Sequence, residues 1–337
     1  MFGLFDLQFR LNKIDRNGDP LKAINELVPW EEFRPDLMTL REKERKSNAG
    51  AKGYDLLLLF KALVLQSLYN LSDDALEQQI LDRLSFMRFL GLAVGSDVPD
   101  AKTLWAFRDQ LAKTGLERTL FERFDAYLRN QGFAARKGQI VDATIVQAPK
   151  QRNQPQENEK IKEGKVITDW SVNQRRQKDT DARWKQKNGK NYFGYENHVQ
   201  ADVQHKFIRD YKVTDASVHD SQVFIELLDE KNSCREAWAD SAYRSKKILS
   251  ELEELGYREH VQRKKTRGRE LSERERRGNR TRSRVRSRIE HIFGVQSQRM
   301  KSTLVRGIGI VRVRCKIGLR NLAYNLSRFA LLRGSVS

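Results

Sequence analysis

The chain of 337 residues has room for two domains, and 39% of its residues are hydrophobic, which is enough for a packed core. Its two cysteines, Cys234 and Cys315, lie far apart and match no zinc-ligand spacing, so a disulfide scaffold is excluded and a reducing cytoplasm is expected. No signal peptide is evident at the N-terminus, and the longest apolar run, 56–65, is too short to span a bilayer. We therefore expect a cytoplasmic protein with no membrane partner.

Positive charge is concentrated towards the C-terminus. Residues 241–337 contain 26 Lys and Arg against 8 Asp and Glu, a net charge of +18 out of +19 for the whole chain. This asymmetry predicts a polyanionic partner, most simply nucleic acid, and therefore an association with the nucleoid. A membrane surface is the weaker alternative because no long basic amphipathic helix with an aromatic face is evident.

Residues 1–135 are predicted to form an all-helical domain. A leucine- and alanine-rich helix is expected over 54–68, and the capping sequence 72–74 begins the next helix. The apolar stripe of that second helix consists of Leu76, Ile80, Leu81 and Leu84. The domain is expected to serve in DNA binding or dimerisation.

A further helix is predicted to begin at Asp100, directly after Pro99. The side chains near its start that can reach base edges in a major groove are Lys102, Thr103 and Arg108. Together with the preceding short helix and turn, this pattern resembles a helix-turn-helix DNA reader, and an ordinary helical hairpin is the equal alternative. Trp105 and Phe107 are assigned to packing.

The periodicity changes after Gly138, in the second predicted domain, 136–337. Residues 139–147 are typical of a strand that is apolar on both faces except for Asp142 and Thr144, which share one side. An acid in the middle of such a strand is costly unless it is paired or coordinates a metal. Both roles are open for Asp142 at this point.

Residues 148–190 have almost no apolar content and are predicted to form a long polar insertion that is mobile without a partner. Trp170 and Trp184 lie among its Lys and Arg residues. One hypothesis is that these rings stack on bases or grip a nucleic-acid backbone. The other is that they anchor the insertion back onto the protein.

Regular elements resume after the insertion. In chain order, the pattern predicts a hairpin of strands 195–203 and 207–213, a helix from its cap Asp220 to about 229, a strand over 236–240, a helix over 245–255, a strand over 258–261 and a basic linker over 263–280. A basic amphipathic helix is predicted over 308–332. The cations expected on its exposed face are Arg312, Arg314, Lys316 and Arg320.

Between the linker and the C-terminal helix lies an arginine-rich stretch that ends at Glu290. Val285, Ile289, Ile292 and Phe293 have the spacing of one helical face. Arg282, Arg286 and Glu290 lie four residues apart along a neighbouring face. One hypothesis is that Glu290 binds a divalent metal while the arginines hold a polyanion beside it. The alternative is an exposed helix with one Arg–Glu pair.

The order of the elements after residue 138 resembles the ribonuclease H-like fold, a mixed α/β sheet in which the first and fourth strands are neighbours. That order brings Asp142 and Asp240 together, and the arginine-rich helix adds Glu290. Clustered carboxylates stay ionised only with a compensating cation, and oxygen ligands favour Mg²⁺ or Mn²⁺ over zinc. Two such ions about 3.5–4 Å apart are suited to activating a water or 3′-hydroxyl in an in-line phosphoryl displacement.

At these residues the sequence resembles the bacterial insertion-sequence transposases of the DDE type, within the insertion-sequence-five family. Three of the matching motifs are Val141-Asp-Ala-Thr144, Ala239-Asp-Ser-Ala-Tyr243 and Ile289-Glu-His-Ile-Phe-Gly294. The others are the stretches 74–86, 89–92, 99–108, 192–198 and 214–221. Each motif alone is weak, but the ordered set is specific and extends over roughly residues 55–330.

The resemblance implies that Asp142, Asp240 and Glu290 form a catalytic triad that binds Mg²⁺, with Mn²⁺ as a substitute. Related transposases often carry a Tyr and an Arg before the glutamate and a Lys after it. Arg286 matches that Arg, but Ser283 and Ser297 stand at the other two positions. Arg299 or Lys301 is expected to replace the lysine. The pair His219 and Asp220 also fits a family motif, either as a turn and helix cap or as catalytic groups.

The resemblance further implies an enzyme that binds terminal inverted repeats, cleaves the ends of its element and joins them to target DNA as a homodimer or larger synaptic complex. A structure-specific nuclease and a regulatory DNA-binding protein without catalysis are the alternatives. Besides the three residues on the helix that begins at Asp100, the expected DNA-binding residues are Arg263, Lys264, Lys265, Arg267, Arg282, Arg286, Arg299 and Lys301.

Overall fold

A computed structural model describes residues 5–41, 53–265, 268–301 and 303–334. The chain forms two compact units. The first, called the helical unit, combines residues Met1–Tyr127 with the C-terminal segment Gly318–Ser337, and the second, called the sheet unit, comprises Leu128–Ile317. The division expected at residue 135 is therefore close to the first boundary, but that expectation did not assign the C-terminal segment to the helical unit.

Within the described residues, the helical unit contains seven short helices, most of an eighth and the C-terminal part of the last helix of the chain. The bounds of the first eight are α1 (Asp6–Arg16), α2 (Pro20–Leu27), α3 (Arg34–Met38), α4 (Leu56–Tyr69), α5 (Asp73–Asp82), α6 (Leu84–Leu90), α7 (Ala101–Thr114) and α8 (Leu116–Asn130). Ser72 and Asp100 cap α5 and α7 as the sequence predicts, because each accepts a hydrogen bond from the first turn. Asp19 and Asp55, which were not predicted as caps, do the same for α2 and α4. Two 3₁₀ turns, Trp30–Phe33 and Thr39–Arg41, flank α3.

The sheet unit is organised around one six-stranded mixed sheet. Its strands are β1 (Gln139–Gln147), β2 (Arg183–Lys187), β3 (Lys190–Asp202), β4 (Ile208–Asp215), β5 (Glu236–Ala239) and β6 (Arg258–Val261). The path runs β2-β3-β1-β5-β6, and β4 also pairs with β3. Pairing is antiparallel between β1 and β3 and between β3 and β4, whereas β1 with β5 and β5 with β6 are parallel. This is the ribonuclease H-like arrangement that the element order predicts, with β1 beside β5.

A close approach between β1 and β3 depends on Gly194. This residue has φ 154°, and a Cβ atom built there would lie 2.3 Å from the carbonyl oxygen of Val146. Any other residue would therefore push the two strands apart at this point. The glycine of the 192–198 motif thus fixes how β3 sits against the strand that carries Asp142.

Four more helices lie in the sheet unit as described, and a fifth begins there and continues into the helical unit. They are α9 (Pro155–Lys162), α10 (Val172–Gln177), α11 (Lys246–Glu254) and α12 (Glu273–Gly294), with α13 (Ile310–Gly334) as the helix that continues. A single π-helical turn, Val295–Arg299, follows α12. One side of the sheet is covered by a core in which Val141, Tyr243 and Leu252 are fully or almost fully buried.

Several sequence predictions need correction. The 148–190 insertion contains α9, α10 and β2, and Trp170 is buried with Ile161 and Ile167 while its Nε1 donates to Glu157 at 2.6 Å. Anchoring is therefore the role of Trp170, whereas Trp184 is 46% exposed. The apolar stripe of α5 is also narrower than predicted, because Leu81 is 61% exposed.

The segments after β4 differ from the prediction as well. No α-helix begins at Asp220. Two 3₁₀ turns, Asp220–Gln222 and Ile225–Leu227, occupy this stretch instead, and His219 is the cap of the first. The predicted linker over 263–280 is partly helical, because Ser272 forms a capping box with Glu275 and starts α12 at Glu273.

The C-terminal helix begins close to the predicted residue. The prediction that Arg320 lies on its exposed face is wrong. Arg312 and Arg314 are exposed and Lys316 is half-buried, whereas Arg320 is buried. The reason is that every residue over 317–326 is buried, including the polar Asn321 and Asn325, so the helix has no exposed face there. Burial alone lowers the pKa of the Arg320 guanidinium to about 10.

Within the described residues, no single helix is both long and apolar enough to cross a membrane. The helices α4 and α5 reach such a composition only when taken together, and the chain bends by 103° between them.

Candidate active site

Asp142 lies in the middle of β1, where its side chain is 14% exposed. One carboxylate oxygen, Oδ1, accepts a hydrogen bond from the backbone N–H of Ala143 at 2.9 Å. The other, Oδ2, accepts from the guanidinium of Arg286 at 2.9 Å. The costly burial of an acid in a central strand is thus offset by an ion pair with a side chain from α12.

Asp240 follows directly after β5, on the strand next to β1. The parallel register pairs Gln139 with Ala237 and Ile140 with Trp238, so the same offset aligns Asp142 with Asp240 two residues further on. Residues at matching positions of adjacent parallel strands point to the same face of the sheet. Asp240 also holds its own turn, because Oδ1 accepts from the N–H of Ala242 at 2.6 Å.

The electrostatics of Asp142 reflect this setting. Burial raises the pKa of its carboxyl group, the Arg286 guanidinium opposes that rise, and the nearby Asp240 carboxylate adds to it. Two carboxylates on neighbouring strands therefore act on each other, as the alignment of the strands requires. The single positive group that is paired with either of them within the described chain is Arg286.

Arg286 is itself held in place by β6 and its own helix. A second guanidinium nitrogen, Nη1, donates to Oε1 of Gln262 at 3.1 Å, and Nε2 of Gln262 donates to Oγ of Ser283 at 2.7 Å. Ser283 stands where related proteins often carry Tyr, and here its role is to hold Gln262. Asp142, Gln262 and Arg286 thus form a chain of hydrogen bonds from β1 across to β6.

Glu290 lies one helical turn beyond Arg286 on α12, which packs against both β1 and β5. Its side chain is exposed, whereas its neighbours Ile289 and Ile292 are fully buried and hold the helix on the sheet. Within the described chain, the ligand atoms of Asp142, Asp240 and Glu290 do not all lie within 4.8 Å of one another. The structure therefore brings the two aspartates together and leaves Glu290 on the adjoining helix surface.

A second cluster of polar groups was not predicted from the sequence. Glu196 and His198 lie on β3, Asp220 follows β4, and one ligand atom from each falls within 4.8 Å of the others. Lys185 of β2 donates to Glu196 Oε1 at 2.6 Å and to Asp220 Oδ1 at 2.9 Å. The signal was present in the 192–198 motif, because Glu196 and His198 alternate in a strand that is otherwise apolar or buried.

This second cluster lies on the opposite face of the sheet from Asp142. The antiparallel register pairs Asp142 with Val199 and Ala143 with His198, and directly opposed residues share a face. Burial raises the pKa of Glu196 to about 7, although Lys185 opposes the rise, and burial lowers the pKa of His198 to about 4. The imidazole is therefore neutral at physiological pH.

The predicted DNA-binding residues of α7 are placed unequally. Lys102 is exposed and Thr103 is half-buried. Arg108 is buried, contacts Asp73 through both terminal nitrogens and donates to Oε1 of Gln66 at 2.9 Å, so its guanidinium is engaged within the helical unit and does not face solvent. Trp105, expected to pack, is 48% exposed, whereas Phe107 is buried as expected.

The predicted cations of the C-terminal half are mostly accessible. The exposed ones are Arg263, Lys264, Lys265, Arg299 and Lys301. Arg267 lies outside the described residues. Arg282 is half-buried, and its pKa is lowered by burial and by the nearby cations Arg263 and Arg244, while Glu259 opposes this.

A ribonuclease H-like sheet with two aligned aspartates beneath a helix that carries a glutamate defines a candidate metal-dependent phosphoryl-transfer site. A family model described as the transposase DDE domain matches residues 134–326, more than half of the chain, and a second family, described as a transposase domain, matches residues 9–110. The chain belongs to the DDE transposase family. It is thus an enzyme that cleaves DNA and transfers strands with the help of divalent metal.

Among solved structures, the chain is similar to a piggyBac transposase, determined by cryo-EM as a synaptic complex with hairpin DNA. The TM-score is 0.47 at 12% sequence identity, and the similarity covers 94% of this chain and 76% of that one.

The burial of Arg108 generates a prediction about stability. Replacing Arg108 by Ala is expected to lower the free energy of unfolding by about 3–5 kcal/mol, because the Asp73 carboxylate would lose its buried partner. Chemical denaturation of the full chain measures this loss. Lys102→Ala, which removes an exposed cation from the same helix, is the control and should change stability by less than about 0.5 kcal/mol. Equal stability of both variants would mean that the Arg108–Asp73 pair does not hold the helices together.

Proposed function

We propose that this transposase binds the terminal inverted repeats of an insertion sequence of the insertion-sequence-five type, cuts the ends of the element and joins them to target DNA. The observation that carries the proposal is the position of Asp142 on β1 and of Asp240 directly after β5, the parallel neighbour of β1, with α12 and its Glu290 packed against both strands. This is where phosphoryl transfer would take place, and it supports transposition over a purely regulatory role because all three acids are intact.

Asp142, Asp240 and Glu290 would hold divalent metal, for which we propose Mg²⁺, with Mn²⁺ able to replace it. The donor set fits, because all three groups are carboxylates and such ions prefer oxygen ligands. The fit is also electrostatic, since burial and the nearby Asp240 carboxylate both raise the pKa of Asp142, which is paired with one cation, Arg286. When bound, such ions supply charge stabilisation to an in-line displacement at phosphorus and activate the attacking hydroxyl.

Arg286 has a positioning role in this proposal. Its guanidinium is fixed by Gln262 and points at Asp142, so a positive group stands at the edge of the site where a DNA phosphate would be attacked. The ion pair between Arg286 and Asp142 also fixes the rotation of α12 about its own axis, and therefore the direction in which Glu290 points. If a DNA phosphate replaced the Asp142 carboxylate as the partner of Arg286, the guanidinium would keep the same number of hydrogen bonds.

DNA binding would be divided between two surfaces. The exposed cations after β6, Arg263 to Lys265, are suited to phosphates, which carry no direct sequence information. Lys102, at the start of α7, is exposed and can reach a base edge in a major groove. Pairing of two element ends would require two copies of the site, and we therefore propose a homodimer or a larger synaptic complex.

The first prediction concerns the acids. Asp142→Asn, Asp240→Asn and Glu290→Gln are each expected to abolish cleavage of repeat-containing DNA in Mg²⁺, while DNA affinity stays within a few-fold of the original. Gel assays of cleavage and of binding on the same preparations measure both effects. The matched control is Glu273→Gln, an 86% exposed acid at the start of α12, which should cleave normally. Normal cleavage by any of the three variants would remove that residue from the triad.

The second prediction concerns the cations after β6. Replacing Arg263, Lys264 and Lys265 together by Ala should weaken binding to all DNA sequences alike and reduce the slope of log affinity against log salt by about 2–3, because fewer counterions are released. Lys246 and Lys247 are exposed cations at the start of α11 and provide the control double variant. An unchanged slope in the triple variant would place the phosphate contacts elsewhere.

The third prediction concerns sequence recognition by α7. Lys102→Ala in the full chain should cost about 1–3 kcal/mol of binding on the terminal repeat and much less on random DNA. Lys113→Ala, on the last turn of the same helix, should affect both DNAs equally. Competition binding with the two DNAs measures the ratio. If Lys102→Ala keeps full discrimination, α7 does not read the repeat.

A further inference from the structure

The cluster on the second face of the sheet has the composition of a metal site. Glu196 and His198 point to the same side because they are two residues apart on β3. Asp220 approaches from the turn after β4, and Nε2 of His198 lies 4.0 Å from Oε2 of Glu196. One imidazole and two carboxylates thus converge from two separate segments of the chain.

The cluster has an excess of negative charge in a buried place whenever Glu196, whose pKa burial raises to about 7, is ionised. The side chains of Glu196 and Asp220 are 0% and 15% exposed, and they share one ammonium group, that of Lys185. His198 contributes no charge because it is neutral. Two buried carboxylates with one cation leave a formal charge of −1, which is costly unless a proton or a further positive charge is present.

Three buried polar atoms around the cluster have no hydrogen-bond partner among the described residues. They are Oε2 of Glu196, Nδ1 of His198 and the hydroxyl oxygen of Tyr243. Tyr243 belongs to the 3₁₀ turn after β5, which packs against the turn at Asp220. Its pKa is raised by burial and then by carboxylates of both groups of acids, Asp142 first and then Asp220, Asp240 and Glu196. Native interiors rarely leave such groups unsatisfied, so the site calls for a ligand.

The ring nitrogen of His198 that faces Glu196 is Nε2, which lies 4.0 Å from Oε2 of that residue and 2.9 Å from the hydroxyl of Thr214. This hydroxyl also donates to the carbonyl oxygen of Asp215 at 2.9 Å, so it keeps a hydrogen-bond partner when Nε2 turns its lone pair to an ion. In that state Nδ1 carries the proton, and a neutral imidazole with one lone pair is the usual form of a metal-binding histidine.

We propose that Glu196, His198 and Asp220 form a binding site for a divalent transition-metal ion, separate from the acids on the other face of the sheet. The mixed nitrogen and oxygen donors favour Zn²⁺ over Mg²⁺, because imidazole is a poor ligand for hard cations. The ion competes with the ammonium of Lys185, which contacts the same two carboxylates. Binding of the ion therefore breaks the two ion pairs by which Lys185 of β2 is joined to Glu196 and Asp220.

The test uses full-length protein in which Asp142→Asn, Asp240→Asn and Glu290→Gln remove the other acids. Isothermal titration with Zn²⁺ alone should show one ion per chain, and titration with Mg²⁺ alone should show none. Adding Lys185→Met should tighten Zn²⁺ binding at least about tenfold, because the competing ammonium is gone. The matched control is Lys212→Met on β4, whose ammonium pairs with the exposed Glu226.

Loss of the ligands completes the experiment. In the same background, His198→Gln and Asp220→Asn should each abolish the Zn²⁺ isotherm, and Glu226→Gln should leave it unchanged. Circular dichroism identifies any variant that fails to fold, and Asp220→Asn, at the edge of the cluster, is the substitution least disruptive to the core. The proposal is overturned if the background protein binds no Zn²⁺ with or without Lys185→Met, or if folded His198→Gln and Asp220→Asn variants both bind it normally.

Discussion

The ion pair between Asp142 and Arg286 is the interaction on which the rest of the sheet unit depends. A carboxylate in the central strand of a sheet can be buried only beside a positive group, and α12 supplies it from the same face. That requirement fixes the rotation of α12, which in turn decides that Ile289 and Ile292 enter the core and that Glu290 does not. The geometry of the candidate active site therefore follows from how one acid is neutralised.

The strand order and the two aspartates could be predicted because they depend on local periodicity. A slip of one residue would turn Asp142 to the opposite face, so the alternation of β1 fixes its direction. One acid lies in the middle of β1 and the other directly after β5. To predict that they lie close together, it was enough to predict that these two strands are neighbours. The β1–β5 pairing provides that, since both strands are parallel and nearly in register.

The errors share one physical cause, which is that a sequence shows residue types but not partners. Arg108 and Lys102 are equivalent in the sequence of α7, yet one is buried on Asp73 and the other is exposed. Arg320 is buried because its helix is enclosed on all sides, which a single-helix pattern does not reveal. The insertion was expected to lack structure because it has few apolar residues. It is ordered instead by two short helices, α9 and α10, and by the buried Trp170, which donates a hydrogen bond to Glu157.

On both faces of the sheet, buried carboxylates are neutralised by one cation, but the cation differs. Asp142 is paired with Arg286, and Glu196 and Asp220 share Lys185, so one cation stands beside the carboxylates on each face. A guanidinium held by Gln262 cannot leave without breaking further hydrogen bonds, whereas an ammonium on a flexible stem can. The acids beneath α12 thus keep a rigid partner where chemistry demands precise geometry. The acids beside β2 keep a displaceable partner, which ties the position of the insertion to whatever cation occupies their side of the sheet.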